Sequence, residues 1–298
     1  MPAGGNMRQG SRPVNSGRIW RRLLSIVFVC GMTLSTFAEE SVKIEAVSTA
    51  KPNHPMVTER FMVEGHSAFL MLPVRRSGTD KTPWVWYAPT LPDLPGKEEQ
   101  WMFRQFLDAG MAIAGIDVGE SYGNPQGCAV YTSLYVDLVR HRGLSERACL
   151  LARSRGGLML YNWATDHPSS VACIAGIYPA CDLASYPGLK VASVAYGMTE
   201  EQLSAVLGKY NPIDRLGPLA KAGVAIFHLH GDRDTVVPLE KNSGELSRRY
   251  RQLGGTMVLR IIEGQGHNRW SGWFESQELV DFVIAHARNP SGSGSSGP

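Results

Sequence analysis

The sequence predicts an α/β protein with a mostly parallel, twisted β-sheet, an antiparallel N-terminal start and helices on both faces. From residue 84 onward, continuous apolar runs alternate with amphipathic stretches, whereas the segment before residue 74 alternates apolar and polar side chains. Strands that are buried on both faces and separated by helices form parallel sheets with right-handed crossovers. A chain of 298 residues, 43% of them hydrophobic, is long enough for one such domain.

The predicted elements follow one another in a simple order. Residues 42–47 alternate like a strand, and the strands at 61–63 and 68–73 flank a predicted hairpin turn, Glu64-Gly65-His66-Ser67. The later strands are predicted at 84–88, 111–118, 148–152, 171–178, 224–230 and 257–262. Amphipathic periodicity predicts helices near 98–109, 131–142, 155–165, 239–253 and 275–287. The long connection from Pro179 to Lys221 carries a further helical piece at 199–207, and it is either a small lid or ordinary surface structure.

Residues 1–38 are typical of a secretory signal peptide. Five arginines and no acidic residue precede a short apolar run at 23–30, and the segment ends in the small-residue exit Thr36-Phe37-Ala38. Ser25 and Gly31 interrupt the apolar stretch, which is short for a bilayer-spanning helix of about 20 residues. We therefore predict cleavage near Ala38, a secreted or periplasmic protein, and no stable membrane insertion after signal removal. A retained membrane anchor is the alternative.

The formal net charge of +3 comes from this N-terminal segment. Five of the 30 basic side chains lie in it, which leaves 25 basic against 27 acidic side chains in the remainder. No basic patch remains to bind a polyanion, so we predict no nucleic-acid partner. The remainder is expected to form one domain at 41–288 and a flexible Gly/Ser tail at 289–298.

Export would place the cysteines that follow the signal in an oxidising compartment. Cys149 and Cys173 lie inside apolar strand-like runs and are expected to be small buried hydrophobic residues. Cys128 and Cys181 lie in predicted loops. If the chain has a disulfide, this second pair is the one predicted to form it.

A serine pattern stands where a predicted strand meets a predicted helix. Leu150-Leu-Ala-Arg-Ser-Arg-Gly-Gly157 resembles the nucleophile elbow G-x-S-x-G of α/β-hydrolases, with Ala152 in place of the first glycine. The elbow holds its serine in a strained conformation, so the residues two positions away must be small, as Ala152 and Gly156 are. The resemblance makes Ser154 the candidate nucleophile.

Two later strand ends extend the resemblance. Residues 224–238 are a buried strand and a turn with the pattern H-G-x-x-D-x-x-V-P, which places the family's acid at Asp234. Ile261-Ile-Glu-Gly-Gln-Gly-His267 is a strand that runs into a glycine loop and places the family's histidine at His267. The chain order Ser, Asp, His is the one that this fold uses. Histidine is suited to remove the serine proton near neutral pH, and the carboxylate orients the imidazole.

Other residues compete for these roles less well. Asp232 lies nearer the strand end and is expected to hydrogen-bond the turn that presents Asp234. Glu263 precedes the His267 loop and is expected to brace that loop. His54 and His66 precede the nucleophile, His228 and His230 belong to the acid-bearing strand, and His286 lies on the final helix.

The resemblance also implies an oxyanion hole built from two backbone N–H groups. One is the N–H of Arg155, the residue after the nucleophile. The other belongs to the loop after the strand at 84–88, where relatives often carry His-Gly and this chain has Ala88-Pro89-Thr90-Leu91. Because proline has no N–H, Thr90 is the predicted second donor, with Leu91 as the alternative.

Four side chains are candidates for contact with the substrate. Ser121 and Tyr122 follow a strand, and they either contact the substrate or fill the turn. Trp270 is close enough to His267 in sequence to form a wall of the pocket. The side chain of Arg155 either projects into the pocket, where it would favour substrates with a negative charge near the acyl group, or lies in solvent at the helix start.

The resemblance covers roughly residues 80–288 and is nearest to the dienelactone-hydrolase and prolyl-oligopeptidase-like branch of the α/β-hydrolases. It implies a catalytic domain at 41–288 that transfers acyl groups to water through an acyl-enzyme, without a metal or an organic cofactor. Fold does not determine substrate. We predict a carboxylesterase acting on a small-molecule or polysaccharide ester, because residues 41–80 are too few for a propeller domain. The alternatives are a serine peptidase of the prolyl-oligopeptidase-like type and a non-catalytic binding protein.

Overall fold

A computed structural model describes residues 44–46, 57–74 and 81–288 of the chain. The predicted signal peptide at 1–38 and the predicted tail at 289–298 lie outside these residues and stay predictions. None of the helices in the described ranges has both the length and the apolar character needed to span a bilayer.

One sheet runs through the described part of the chain, and its nine strands carry most of the predicted apolar runs. In chain order they are β1 (Ile44–Ala46), β2 (Val57–Val63), β3 (His66–Leu72), β4 (Trp84–Ala88), β5 (Ala112–Ile116), β6 (Ala148–Arg153), β7 (Val171–Ile177), β8 (Ala225–Gly231) and β9 (Met257–Ile262). Across the sheet they lie in the order β1-β2-β3-β5-β4-β6-β7-β8-β9. The pairs β1–β2, β2–β3 and β3–β5 are antiparallel. The remaining pairs, β5–β4, β4–β6, β6–β7, β7–β8 and β8–β9, are parallel. The prediction of a mostly parallel sheet with an antiparallel start is confirmed.

Helices connect the parallel strands. The helices of the described residues are α1 (Gln100–Asp108), α2 (Pro125–His141), α3 (Gly156–Asp166), α4 (Leu189–Ala195), α5 (Glu200–Ala205), α6 (Leu207–Tyr210), α7 (Gly217–Lys221), α8 (Ser243–Gln252), α9 (Ser271–Phe274) and α10 (Gln277–Arg288). Helix α2 begins well before the predicted residue 131. The reason is its N-terminal cap: the side chain of Asn124 accepts the N–H of Gly127 at 2.7 Å, and Pro125 occupies the first helical position.

Helices cover both faces of the sheet, as predicted, and successive residues of β4 show how. Trp84, Trp86 and Ala88 belong to a hydrophobic cluster that contains residues of α2, α3 and α8. Val85 and Tyr87 belong to a second cluster, which contains residues of α1 and α10. All residues of β4 to β7 are buried for this reason, and burial on both faces explains their continuous apolar sequence.

The hairpin between β2 and β3 has a tighter turn than the sequence predicted. Only Glu64 and Gly65 form the turn, with φ values of 51° and 78°, while His66 and Ser67 begin β3. Two-residue turns with positive φ at both positions match the right-handed twist of the flanking strands. The predicted four-residue turn was therefore too long.

The connection between β7 and β8 is ordinary surface structure rather than a lid. Helices α4 to α7 lie in it, and its apolar side chains form a small cluster of their own with Leu158 of α3 and with Val237. Apart from Tyr178, which directly follows β7, none of its residues lines the cavity at Ser154 that is described below. Other apolar side chains of the connection, among them Cys181, Ile213 and Leu219, belong to the large cluster that also contains residues of α2, α3 and α8.

The predicted disulfide is not formed, since Cys128, Cys149, Cys173 and Cys181 are all free thiols. Cys128 lies in α2 rather than in a loop, and its thiol donates to the carbonyl of Gly123. Cys181 is fully buried and its thiol donates to the carbonyl of Pro179. The pair expected to be buried in strands is indeed buried there, on neighbouring strands β6 and β7.

Candidate active site

Ser154 lies in the sharp turn between β6 and α3. Its φ is 50°, a strained conformation for a residue with a side chain. Its N–H donates to the carbonyl of Ile177 at 3.0 Å, and its own carbonyl accepts the N–H groups of Gly157 at 3.0 Å and Ala180 at 2.8 Å. These three bonds hold the turn, so the strained serine is kept at the carboxyl end of the central strand.

Gly156, two positions after the serine, must be small because α3 packs closely against β4. A Cβ added to Gly156 would lie 2.1 Å from the carbonyl oxygen of Ala88 and 2.6 Å from the nitrogen of Pro89. Both are backbone atoms, so no side-chain adjustment would relieve the clash. The glycine of the small-x-Ser-x-Gly pattern thus has a specific steric role here.

The structure brings Ser154, His267 and Asp234 into one hydrogen-bonded line. The Oγ of Ser154 lies 2.8 Å from Nε2 of His267, and Nδ1 of His267 lies 2.7 Å from Oδ2 of Asp234. The side chains of Asp234 and His267 come from the loops that follow β8 and β9, which are neighbouring parallel strands. Residues at least 33 positions apart in sequence therefore meet at one edge of the sheet.

Asp234 is held by donors on both of its oxygens. The N–H groups of Val236 and Val237 donate to Oδ1 at 3.0 and 2.8 Å, and Nε2 of His230 lies 3.4 Å from Oδ2. Burial raises the pKa of Asp234, but the hydrogen bonds from His230, His267 and the Val237 amide outweigh burial and hold the pKa well below its ordinary range. The carboxylate is therefore ionised at neutral pH.

The rival acids have other positions. Oδ1 of Asp232 accepts the N–H of Gly264 at 2.7 Å, so this carboxylate joins the loop after β8 to the loop after β9. From the sequence, Asp232 was expected to hydrogen-bond the turn that presents Asp234 instead. Glu263 is exposed and makes no hydrogen bond to the described residues, so it does not brace the His267 loop as expected.

A cavity of about 450 Å³ opens over the serine. Its lining contains Ser154 and His267 together with three arginines and two carboxylates. The residues that line it are Pro89, Leu91, Pro92, Asp93, Leu94, Glu120, Arg153, Ser154, Arg155, Tyr178, His267, Asn268 and Arg269. The cavity is thus polar, and large enough for a small ester or one end of a longer one.

Arg153, which lines this cavity, forms a buried ion pair, as its position beside the nucleophile had suggested, but the sequence did not identify the carboxylate partner. Nη1 of Arg153 donates to Oε1 of Glu99 at 2.5 Å, and the hydroxyl of Tyr87 donates to the same oxygen at 2.7 Å. Arg153 and Glu99 are both buried. Glu99 comes from the start of α1, and no motif marks it, because only the packing of α1 against the sheet brings it to Arg153.

Tyr178 is a second residue that sequence analysis missed. It follows β7, has a φ of 37°, and its ring centroid lies 4.4 Å from that of His267. Burial raises the pKa of Tyr178, which Arg153 partly opposes. Its position at a strand end next to the nucleophile strand is the one signal that would have predicted it.

Arg155 lines the cavity, and its side chain is 31% exposed. It forms an ion pair with Glu120, which also lines the cavity. Its Nε is buried and makes no hydrogen bond to any described residue. The negative charge of Glu120 offsets the positive charge that Arg155 was expected to offer to an anionic substrate.

The predicted oxyanion donors differ in position. The N–H of Arg155 makes no hydrogen bond to a described residue, so this donor is unused by the fold. Thr90 does not line the cavity of Ser154; it continues the parallel ladder of β4 and β5 by a bridge to Asp117 and lines a smaller neighbouring cavity. Leu91 lines the main cavity, but its N–H donates to the carbonyl of Leu94 at 3.1 Å. The second donor predicted at Thr90 is therefore not brought to the serine.

Ser121 and Tyr122 fill a turn rather than the cavity. The hydroxyl of Ser121 is buried and accepts the N–H of Gly123 at 3.4 Å. Tyr122 has a φ of 46°, and its carbonyl accepts the hydroxyl of Tyr196 at 3.2 Å. Neither residue lines the cavity that contains Ser154, so the structural alternative for both is the one observed.

Trp270 does not form the expected wall of the pocket. Its side chain is 43% exposed and packs edge to face against Trp273, with ring centroids 5.5 Å apart. Asn268 and Arg269, which lie between it and His267 in sequence, line the cavity instead.

The acidic groups of the cavity do not form a metal site. Among residues 44–46, 57–74 and 81–288, no group of three or more His, Cys, Asp or Glu side chains is arranged to hold a metal ion. The two carboxylates that line the cavity, Asp93 and Glu120, are accompanied by arginines. The expectation that the chain needs no metal or organic cofactor stays a prediction.

No protein-family model matches the sequence, and a search of curated proteins found no significant match. Solved structures are nevertheless similar. An S-formylglutathione hydrolase from Agrobacterium tumefaciens superposes with a TM-score of 0.61 and 16% identity over 79% of this chain and 96% of its own. A truncated carbohydrate esterase from gut microbiota has a TM-score of 0.57 and 15% identity over 76% of this chain and 93% of its own.

Peptidases share the same architecture. An acylaminoacyl peptidase from Pyrococcus horikoshii has a TM-score of 0.61 and 14% identity over 82% of this chain, but only 43% of the peptidase is covered. The chain thus spans less than half the length of that peptidase, whereas it spans nearly all of the hydrolase and the esterase. The similarities, the strand order and the strained serine after β6 together show that this chain has the α/β-hydrolase fold.

Proposed function

We propose that the chain is a secreted serine hydrolase that cleaves carboxylic esters through an acyl-enzyme. In this proposal Ser154 is the nucleophile, His267 the general base and Asp234 the acid that orients it. One observation carries the proposal: the line of hydrogen bonds from Ser154 to His267 at 2.8 Å and from His267 to Asp234 at 2.7 Å, at an open cavity.

The geometry supports acylation by a simple sequence of proton transfers. Nε2 of His267 accepts the proton of Ser154 as Oγ bonds to the carbonyl carbon of the ester, and Asp234 stabilises the imidazolium that forms. The carbonyl oxygen becomes an oxyanion, which the N–H of Arg155 and the N-terminal end of α3 favour. His267 then returns the proton to the leaving alcohol as the ester C–O bond breaks, which leaves the acyl group on Ser154.

Deacylation repeats these steps with water. His267 removes a proton from a water molecule, whose oxygen attacks the acyl carbon, and the same proton then returns to Oγ of Ser154 as the carboxylic acid leaves. Tyr178 packs against the imidazole with a centroid distance of 4.4 Å, so the ring keeps its orientation between the two half-reactions.

The cavity favours an ester with a polar alcohol or acyl group. Asp93, Glu120, Arg155 and Arg269 line it and provide both donors and acceptors. An esterified carbohydrate fits this lining, and the carbohydrate esterase from gut microbiota has the same fold and nearly the same extent. A small-molecule ester is the minimal substrate that the same residues would accept.

Labelling with a fluorophosphonate probe tests the nucleophile directly. We expect the wild type to be labelled and to hydrolyse a chromogenic acetate ester, and Ser154→Ala to lose both properties while remaining folded. Ser145→Ala is the matched control, because its hydroxyl lies away from the cavity and donates to the carbonyl of Lys81. Labelling that persists in Ser154→Ala would contradict the proposal.

The bond type is tested by comparing an ester with an anilide that has the same acyl group. The proposal expects a higher kcat/KM for the ester, and a preference for the anilide or for a peptide would identify a peptidase instead. A wild type that neither reacts with the probe nor hydrolyses any substrate would contradict the hydrolase proposal and favour the alternative of a binding protein with this fold.

Export is part of the proposal and has a separate test. N-terminal sequencing of the protein from the secreted or periplasmic fraction of its host should begin near Glu39. A mature chain that still contains the arginines before the apolar run would support a membrane anchor instead.

A further inference from the structure

A continuous line of buried polar side chains lies behind Asp234, and the reaction described above does not use it. It consists of Tyr161 from α3, His228 and His230 from β8, and Ser243 at the start of α8, and all four side chains are fully buried. The hydroxyl of Tyr161 lies 2.8 Å from Nε2 of His228. The Nδ1 atoms of His228 and His230 lie 2.9 and 2.7 Å from the single Oγ of Ser243.

The direction of each hydrogen bond follows from the Tyr161 end. Burial raises the pKa of Tyr161 well above its ordinary value, so the hydroxyl keeps its proton. Its one described partner is His228, so Nε2 of that ring must accept. Burial and the nearby His230 lower the pKa of His228 to about 3, which makes the ring neutral and places its proton on Nδ1. His228 therefore donates to Ser243, and the hydroxyl proton of Ser243 is left for His230.

The opposite end of the line gives the same assignment independently. Nε2 of His230 lies 2.8 Å from the carbonyl oxygen of Val237. Because a carbonyl can only accept, Nε2 must carry a proton. Nδ1 of His230 then accepts from Ser243, which completes one consistent chain of donors from Tyr161 to Val237. The two histidines consequently have opposite tautomers, with the proton on Nδ1 in His228 and on Nε2 in His230.

This N–H of His230 points at the turn that carries the acid. Val237, whose carbonyl receives it, also donates its own N–H to Oδ1 of Asp234 at 2.8 Å. The same Nε2 lies 3.4 Å from Oδ2 of Asp234, the oxygen that binds His267. We propose that His230, oriented by Ser243, is a positioning residue that fixes the turn at Val237 and the carboxylate of Asp234.

Loss of this residue should affect turnover more than substrate binding. His230 is fully buried and does not line the cavity, so it does not touch the substrate. Removing its donor frees the carbonyl of Val237 and lets the carboxylate rotate, which misplaces His267 relative to Ser154. Members of a buried hydrogen-bond network strengthen one another, so loss of His230 is expected to affect the contacts of Asp234 as well.

Nitrogen NMR on protein labelled with ¹⁵N in histidine tests the assignment without any activity measurement. The chemical shifts of the ring nitrogens distinguish the protonated from the bare nitrogen near neutral pH, and single-histidine variants assign the signals. We expect opposite tautomers for His228 and His230. Equal tautomers, or a doubly protonated His230, would overturn the proposed chain.

Kinetics of two His230 variants test the positioning role, and this test rests on the proposed esterase function. We expect His230→Leu to lower kcat by about tenfold or more with KM changed by less than about twofold. His230→Gln retains a side-chain N–H near the position of Nε2 and should recover most of the lost kcat. Equal kcat values in His230→Leu and wild type, or equal losses in Leu and Gln variants, would overturn the positioning role.

Two further variants complete the test: one separates a loss of stability from a loss of positioning, and the other is used if His230→Leu does not fold. Tyr161→Phe removes a buried hydrogen bond but leaves the N–H of His230 in place, so it should lower stability while kcat changes by less than about twofold. If His230→Leu does not fold, Ser243→Ala replaces it. His230 should then keep its proton on Nε2, because the carbonyl of Val237 still accepts it, while kcat falls by about threefold because the ring loses the hydroxyl that orients it. An unchanged kcat would overturn the proposal. A wild type that is not labelled at Ser154 would contradict the proposed function but not the tautomers.

Discussion

Replacement of Asp234 by asparagine is the sharpest test of the proposed triad, because the structure determines how the amide must sit. The N–H groups of Val236 and Val237 donate to Oδ1 at 3.0 and 2.8 Å. Only the oxygen of an asparagine can accept them, so its NH₂ group takes the place of Oδ2. That NH₂ group then faces Nδ1 of His267, which lies 2.7 Å from Oδ2 in the wild type.

The consequence is a histidine in the wrong tautomer. Facing a donor, Nδ1 of His267 must present its lone pair, so its proton moves to Nε2, which then points at Ser154 and cannot accept the serine proton. The equivalent substitution in a serine-protease triad lowers kcat by about 10⁴. We expect a similar loss in Asp234→Asn, which corresponds to about 5.4 kcal/mol of activation free energy at about 1.36 kcal/mol per factor of ten.

The assay is kcat for a chromogenic acetate ester near neutral pH, with the rate of Ser154→Ala subtracted as background. Circular dichroism should show that Asp234→Asn is folded. Asp232→Asn is the matched control, because asparagine still accepts the N–H of Gly264 there, and its kcat should stay within about twofold of wild type. The reasoning is refuted if Asp234→Asn keeps a tenth or more of the activity, or if Asp232→Asn is the damaging change.

Three further predictions follow from other parts of the structure. Gly156→Ala should lower the free energy of unfolding by about 3 kcal/mol or more, because its Cβ would lie 2.1 Å from the carbonyl oxygen of Ala88. Urea melts measure this free energy, and a change below about 0.5 kcal/mol would contradict the prediction. The pKa of His228 is lowered to about 3 in the folded chain, so below about pH 6.5 the unfolded chain binds a proton that the folded chain does not. Stability should therefore fall as the pH falls from about 6.5 to about 3, and His228→Gln should reduce this slope by up to about 1.4 kcal/mol per pH unit in urea melts; equal slopes would show that His228 is not held neutral. Because Glu120 offsets the charge of Arg155, Glu120→Gln should raise the kcat/KM ratio of a carboxylate-bearing ester to its neutral analogue, and Arg155→Ala should lower it; a ratio unchanged in both variants would show that neither group contacts the substrate.

Local sequence patterns were sufficient for the residues at strand ends. Ser154, Asp234 and His267 each follow an apolar run, and parallel strands place such ends at one edge of the sheet. The same physical rule accounts for the buried strands β4 to β7, whose continuous apolar sequence reflects two covered faces. The strands could be predicted from periodicity, and the three site residues from chain order together with the resemblance of their motifs to those of α/β-hydrolases.

Loop geometry was predicted less well, since it depends on backbone pairing that no short pattern encodes. Thr90 was expected beside the serine, but its bridge to Asp117 continues the sheet and places it in the neighbouring cavity. Cys128 was expected in a loop, but the cap at Asn124 starts α2 before it. In both cases a backbone or cap hydrogen bond decided the outcome.

What the sequence by itself determined is the order of elements, the sheet type and the three residues at the strand ends. Only the tertiary structure decided which partners surround them: Glu99 beneath Arg153, Glu120 beside Arg155, and the line from Tyr161 to His230 behind the acid. These contacts join side chains that lie far apart in the chain, on elements whose relative positions follow from packing of the whole core. A buried polar group needs a partner wherever the fold supplies one, and a linear pattern does not contain that information.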